Sequence, residues 1–200
     1  MKIHILNMIL MIFLIVSCKK EENNATSKKL VESYNVTMGN QTTPTSGWNC
    51  FFSFDYAKVY RLSEAFNNQS KIDLIFLHND PDDVAMFVSP FSMADAIANK
   101  PYMYATSNYG VEDWTTKNTL QINVTDITVS DFNNITTVEQ LNTAYENDKN
   151  ITNAWEVDIS ANKVYRFMTN SNRIGLIKVN SISGNHNTKG EINFDVKIIK

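Results

Sequence analysis

The sequence predicts a mainly β fold, a sandwich-like pair of sheets made of two duplicated meander units with one or two short helices between them. Three observations predict it. Apolar residues recur at every second position in short runs, the period of a strand with one covered face. Clusters rich in Asn, Thr, Gly and Pro interrupt those runs, as turns do. A pattern that starts near residue 50 also returns about a hundred residues later.

Taken in order, Tyr34, Val36 and Met38 alternate with polar residues and mark a first strand, followed by a loop over 40–47. Trp48, Cys50, Phe52 and Phe54 alternate along the next strand. A turn falls near Asp55-Tyr56-Ala57, and a further strand runs from Lys58 to Leu62. The later copy reads Trp155, Val157 and Ile159, a turn at Ser160-Ala161-Asn162, then Lys163-Val164-Tyr165-Arg166-Phe167. Lys58-Val59-Tyr60-Arg61-Leu62 matches that last string, and Lys71-Ile72-Asp73-Leu74-Ile75 parallels Arg173-Ile174-Gly175-Leu176-Ile177. Each copy then offers another strand, Val84 to Val88 in the first and Glu191 to Ile198 in the second. The copies span about 48–88 and 153–198, and each is expected to hide its apolar face against the other. Similarity arising only because amphipathic hairpins share patterns is the alternative. Between the copies, Ser92 and Asp95 form a cap pattern before a short helix that ends at Pro101. Thr136 or Thr137 with Glu139 or Gln140 forms a capping box before Val138, Leu141, Ala144 and Tyr145. Thr119 to Val124 reads as a strand joining the halves.

The first residues have a different character. Lys2 precedes an apolar run densest from Met8 to Val16, too short for a bilayer span but of signal-peptide length. It ends in Leu14-Ile15-Val16-Ser17-Cys18, which resembles the lipobox of bacterial lipoproteins. The resemblance implies a signal peptide over 1–17, cleavage before Cys18, and lipid (palmitate) on that cysteine as the membrane anchor. Lys19-Lys20-Glu21-Glu22 resembles the short tag that directs Bacteroidetes lipoproteins to the outer face of the outer membrane; the plainer reading is a solvated tether over 18–29. The body, 30–200, then reads as a single β-rich domain.

Removing residues 1–17 from 200 leaves 183, enough for one substantial core, and takes the formal charge from −3 to −4 because Lys2 leaves. A mildly acidic chain without a basic tract argues against nucleic acid as a partner. With Cys18 committed to lipid, Cys50 has no cysteine partner and reads as a small buried hydrophobe. His78 and His186 lie far apart without other ligands nearby, so no metal and no cofactor is expected.

The strings Trp155-Glu156-Val157-Asp158-Ile159, Lys163 to Phe167 and Ile174-Gly175-Leu176-Ile177-Lys178-Val179 resemble the C-terminal part of uncharacterised Bacteroidetes lipoproteins, especially flavobacterial ones. Phe51-Phe52-Ser53-Phe54, Ser63-Glu64-Ala65 and Lys71-Ile72-Asp73 resemble the first half of that pattern. The resemblance implies an envelope location and a β-rich fold, and supplies no catalytic residues. Where such relatives carry Gly in the turns, this chain has Ala57 and Asn162. Asn tolerates a left-handed backbone and Ala tolerates it poorly, so the first turn is expected to differ in type.

Three patterns are candidate sites. Tyr102, Tyr104, Tyr109 and Trp114 place aromatic rings in a loop-like stretch with Asn108, Glu112 and Asp113 nearby. Stacking on sugar rings is one reading, and burial over the open end of the core is the ordinary one. His78-Asn79-Asp80-Pro81-Asp82-Asp83 gathers oxygen ligands but lacks the glycine and the distant glutamate of a calcium loop, so it reads as a solvated turn. Arg61 and Arg166 hold equivalent places in the two copies; the choice is between a shared anion site and outward residues on separate strands. No nucleophile elbow, zinc-protease motif or phosphate loop occurs, and no catalytic residues are assigned. The resulting expectation is a non-catalytic binding or adhesion module at the membrane, with a glycan or envelope protein as partner. The competing expectations are a structural lipoprotein of the envelope and a hydrolase with carboxylates that sequence does not reveal.

Overall fold

The computed structural model describes residues 30–40, 49–79, 82–92, 110–147, 154–185 and 188–200. The expected signal peptide, the tether with Cys18 and the expected helix after Ser92 fall outside these residues. Among the described residues ten strands form two antiparallel five-stranded sheets. The first sheet runs in the order β1 (Val31–Gly39), β10 (Thr188–Ile199), β9 (Ile174–Asn185), β8 (Val164–Thr169) and β6 (Leu120–Val124). The second runs β3 (Lys58–Tyr60), β2 (Phe51–Ser53), β4 (Leu74–Asn79), β5 (Val84–Val88) and β7 (Glu156–Asp158). The fold is mainly β and sandwich-like, as the alternation predicted. The segment 48–88 supplies β2 to β5 of the second sheet, and 153–198 supplies β8 to β10 of the first and β7 of the second, so the two segments face each other across the core except at β7.

Alternation explains the central layer. Ile192, Phe194, Val196 and Ile198 of β10 point inward together with Val36, Met38, Tyr165 and Phe167. They meet Phe52, Phe54, Leu74, Phe76 and Phe87 from the other sheet. One departure from strict period two is a bulge. Asn193 pairs with Ser181 while Phe194 pairs with Val179, so Asn180 is the extra residue on β9. The bulge lets Val179 and Ile182, three residues apart, both reach the central layer.

The outer faces are covered as well, which the alternation did not announce. Phe51, Ile75, Leu77, Met86 and Val88 form a second cluster on the far side of the second sheet, with Leu62, Ala65, Val111 and Trp114 over them. Strands β2, β4 and β5 therefore read as continuous apolar runs because both of their faces are dry. Cys50 falls in this outer cluster with Phe51, not beside Phe52 and Phe54, because β2 starts only at Phe51. A third cluster lies outside the first sheet. There Val164, Leu176 and Ile199 are capped by Phe132 of helix α2 (Val129–Asn134), by Ile135 just after it, and by Leu141 of helix α3 (Val138–Asn147).

Local readings changed in three places. Leu62 ends no strand; it opens helix α1 (Leu62–Phe66), where Leu62 and Ala65 share the buried side and the Glu64 carboxylate accepts the Arg61 N–H at 3.3 Å. The hairpin expected around Ser160-Ala161-Asn162 does not close. The Ile159 N–H donates to the Ala85 carbonyl at 2.8 Å in one sheet, and the Asn162 N–H donates to the Val179 carbonyl at 2.8 Å in the other. The chain thus crosses between sheets here, braced by the Ser160 N–H donating to the Tyr165 hydroxyl oxygen at 2.8 Å. The two equivalent turns are also alike in backbone, with Ala57 at φ +46° and Asn162 at φ +62°. Ala57 adopts the left-handed conformation at a cost of about 1 kcal/mol.

The sandwich is stitched at its flanks. Ile122 donates to the Ala154 carbonyl at 2.9 Å and Ser89 to that of Trp155 at 2.8 Å, tying β6 toward the β7 edge. On the other flank Gly39 donates to Asn49 at 3.3 Å. Of the four outer strands, β3, β6 and β7 are short, and β1, the long one, is tied at its Gly39 end.

Phe194 lies between both sheets, with its ring 5.9 Å from Phe52 and 5.4 Å from Phe87. Phe194→Ala is expected to lower unfolding free energy by about 3–5 kcal/mol, measured by urea denaturation. A loss below about 1 kcal/mol would mean the ring is not packed as described.

Candidate functional site

Beyond β6 the chain reverses through two capped helices. Thr128 accepts the Asp131 N–H at 3.1 Å, while the Asp131 carboxylate accepts the Thr128 N–H at 3.3 Å, a reciprocal box that starts α2. The next box does the same for α3. The Thr137 hydroxyl accepts the Gln140 N–H at 3.2 Å, and the Gln140 side-chain oxygen accepts the N–H groups of Thr136 at 2.8 Å and Thr137 at 3.1 Å. This second helix is the one the sequence predicted.

Cations on the sheet below hold the C-terminal ends of both helices. Lys197, nearly buried, donates to the carbonyls of Asn133 at 3.1 Å and of Ile135. Its ammonium lies 5.0 Å from the Phe132 ring, with Lys178 at 5.4 Å from the same ring. Arg166, also buried, donates to the Tyr145 carbonyl at 3.0 Å and lies 5.2 Å from that ring. Terminal carbonyls of a helix lack intrahelical donors and carry partial negative charge, so a buried cation satisfies them twice over. Burial, then the neighbouring Lys178, lowers the Lys197 pKa, with Asp195 opposing. Asp195 receives Lys178 at 2.8 Å and Asn35 at 2.6 Å. Burial alone would raise the Asp195 pKa, but these hydrogen bonds and that of Asn180 win and lower it.

Between the two helices lies an open cleft of about 740 Å³. Ile127, Ile135 and Ala144, which belong to the cluster packed on the sheet, give it an apolar floor. Exposed Asp126, Asp131 and Glu139, with Gln140, Thr143 and Asn147, give it a polar rim. Two rim groups, Asp131 and Gln140, are also the cap residues, so the boxes that start the helices hold them in place. An apolar floor under a few placed polar groups is the ordinary make-up of a ligand site. Among the described residues no group of three or more His, Cys, Asp or Glu is arranged to hold a metal ion.

The predicted site residues are placed as follows. Tyr102, Tyr104 and Tyr109 lie outside the described residues. Trp114 is buried, 3 % exposed, with its ring 5.5 Å from Phe51 beneath the α1 layer. It caps the core and offers no open face. Arg61 is exposed at the start of α1 beside the second sheet, whereas Arg166 is covered by α3 on the first, so they share no cleft. Arg166 does not follow the outward reading either, because a helix packs over its strand. His78 is buried with its ring nitrogen 3.4 Å from the Asn40 amide, which also donates to the carbonyls of Asn185 and Thr188 at 2.9 Å. Asp82 and Asp83 form an exposed turn, Asp83 at φ +54°; Asp80 and Pro81 lie outside the described residues. Cys50 is a free, fully buried thiol pushed up to about 12 by burial, the inert hydrophobe expected of it.

From sequence, Glu139, Gln140 and Ala144 read as parts of a capped helix, and the cleft does not read as a site. One signal was there: Thr128-Val129-Ser130-Asp131 is a capping pattern like the Thr137 one. Their convergence on Asp126 and Glu139 depends on how α2 and α3 fold back over the sheet, which no local pattern carries.

Outside the cleft, Asp73 is a perturbed acid. It is 8 % exposed, burial raises its pKa from 3.8 to about 6, and the Phe54 N–H, donating at 2.9 Å, pulls the other way. It anchors the end of β2 just before the Ala57 turn. A folded pKa above the unfolded one means stability is full below about pH 4 and falls as pH rises through 6. The loss is at most about 3 kcal/mol. Asp73→Asn keeps an acceptor for Phe54. Urea midpoints across pH 4 to 7 are expected to fall less in the variant than in the natural chain; equal slopes would contradict the assignment.

Comparison with known proteins finds no matching family model, no matching curated protein and no matching solved structure.

Proposed function

We propose that this chain is a lipid-anchored lipoprotein of a bacterial envelope and that its domain is a non-catalytic binding module. The ligand is polyhydroxylated, as a glycan is, and sits in the cleft between α2 and α3. The observation that carries this reading is the cleft itself, an apolar floor under a rim of carboxylates, amides and a hydroxyl on capped helices. Sugar rings present C–H faces that suit Ile127, Ile135 and Ala144. Their hydroxyls donate well to Asp126, Asp131 and Glu139 and also accept from Gln140 and Asn147. A rim fixed by helix caps loses little freedom on binding.

The address rests on Leu14 to Cys18, with lipid on Cys18 as the attachment. The Lys19-Lys20-Glu21-Glu22 stretch supports the outer membrane, exposed on the cell surface. The burial of Trp114 moves the proposed contact from the aromatic segment to the cleft.

The test is a broad glycan array probed with the mature chain, alongside Thr143→Trp, which fills the cleft, and the double variant Asp126→Ala/Glu139→Ala. Both variants alter exposed side chains and are expected to fold. Binding should weaken at least about tenfold in each, equivalent to roughly 1.4 kcal/mol. Binding that survives both variants, or no binding to any glycan, would overturn the reading. An assembly role through envelope proteins, tested by pull-down, would then stand in its place.

A further inference from the structure

We infer that the end of the sandwich at which β1 begins is a lipid-docking surface, so that the domain rests on its membrane by that pole. This rests on the lipid-anchor reading of Cys18. Four large apolar side chains are exposed among the described residues, and three of them gather at this one pole: Leu30 at 61 %, Tyr56 at 59 % and Phe91 at 43 %. The fourth, Val124, ends β6 on the far edge of the sheet, level with Tyr34 in the middle of β1.

That the three belong to one pole follows from a chain of contacts. Leu30 exchanges backbone hydrogen bonds with Lys200 at 3.0 and 3.3 Å, at the end of β10. Arg173, at the start of β9, donates to the Ile199 carbonyl at 3.3 Å and pairs with Asp55, the neighbour of Tyr56. The Lys71 ammonium lies 5.2 Å from the Tyr56 ring. From there Asn118 donates to the carbonyls of Ser70 and Ile72 at 2.9 Å and accepts the Phe91 N–H at 3.2 Å.

The chemistry suits a lipid headgroup region. Tyrosine places a ring among acyl ends and its hydroxyl in water, and a lysine stem lies over apolar surface while its ammonium meets phosphate. Exposed apolar groups gathered in one place mark an interaction surface. The place where the tether joins the domain indicates which surface it is. From Cys18 the chain runs through residues 18–29 to Leu30, and twelve residues span at most about 40 Å. The tether therefore joins the domain at this pole, and this pole is the one held nearest the lipid.

The experiment couples the mature chain through Cys18 to a maleimide lipid in nanodiscs of phosphatidylethanolamine and phosphatidylglycerol. The second thiol, Cys50, is buried and does not compete. A gadolinium-bearing lipid is added, and amide signals are read by NMR. Loss of signal is expected at Tyr56, Lys71, Phe91 and Asn172, with Gly39 and Thr188 at the opposite pole retained. In Tyr56→Ser/Phe91→Ser the loss at Lys71 and Asn172 should shrink. Equal loss at both poles, or no loss at Tyr56 and Phe91, would overturn the docking. The anchor reading fails separately: the mass of the chain made in a lipoprotein-processing bacterium would show no lipid on Cys18, and the docking proposal would fall with it.

Discussion

The ring of Phe54 lies flat on that of Phe167, centroids 4.0 Å apart and planes within 14°, and this contact joins the two sheets near one end of the core. Around it Phe52, Phe87, Tyr165 and Phe194 meet edge to face at 5.2 to 6.3 Å. With Cys50 a free thiol, the described residues hold their two sheets together without a disulfide, chiefly by this burial. Aromatic rings make the layer rigid as well as dry, because edge-to-face and offset contacts restrict how the sheets can slide. The backbone makes room for it. Gly175 has no side chain where a Cβ would collide with the Phe167 ring and the Lys197 carbonyl, so β9 comes close enough for Phe167 to lie beneath Phe54.

From that layer outward, each sheet solves the same problem differently. The second sheet is covered chiefly by apolar groups, α1 and Trp114 over Phe51 and Ile75. The first sheet is covered in part by α2 and α3, and their apolar join is reinforced by buried cations. Lys197 and Arg166 stand on the strands and satisfy the helix ends above them. The uncovered part of that face carries a polar ladder in which the Asn193 amide reaches Asn35 at 2.8 Å and Thr37 at 2.9 Å, while Asn180 donates back to Asn193 at 2.9 Å. The cleft proposed as the ligand site lies between those two helices. Its shape is a consequence of how the buried cations seat them.

Much of this was legible in the sequence. The Ile192 to Ile198 alternation, the Thr137 box and the Val84 to Val88 run lie where the pattern put them, because each is governed by local period or local capping. What could not be read depends on partners distant in sequence. Two faces of β4 are dry because Leu62 and Trp114 fold over one of them. β7 leaves its expected hairpin because Ala85 and Val179 each claim one side of the turn. Arg166 looked like a solvent residue on an alternating strand until α3 lay across it. Ala57 was expected to resist a left-handed turn, yet it takes one, and the anchoring of Phe54 by Asp73 just before the turn shows what holds that end in place.

The account stands or falls on the two sheets being locked by aromatic contact, with the helices, the cleft and the poles arranged around that lock. A double-mutant cycle on Phe54→Leu and Phe167→Leu tests it most directly, because leucine keeps both sites apolar and removes only the stacking. Unfolding free energies of the natural chain, both single variants and the double variant are expected to give a coupling of about 0.5–1.5 kcal/mol. Losses that add to within about 0.3 kcal/mol would contradict it, and would mean that the sheets are held together by unspecific burial.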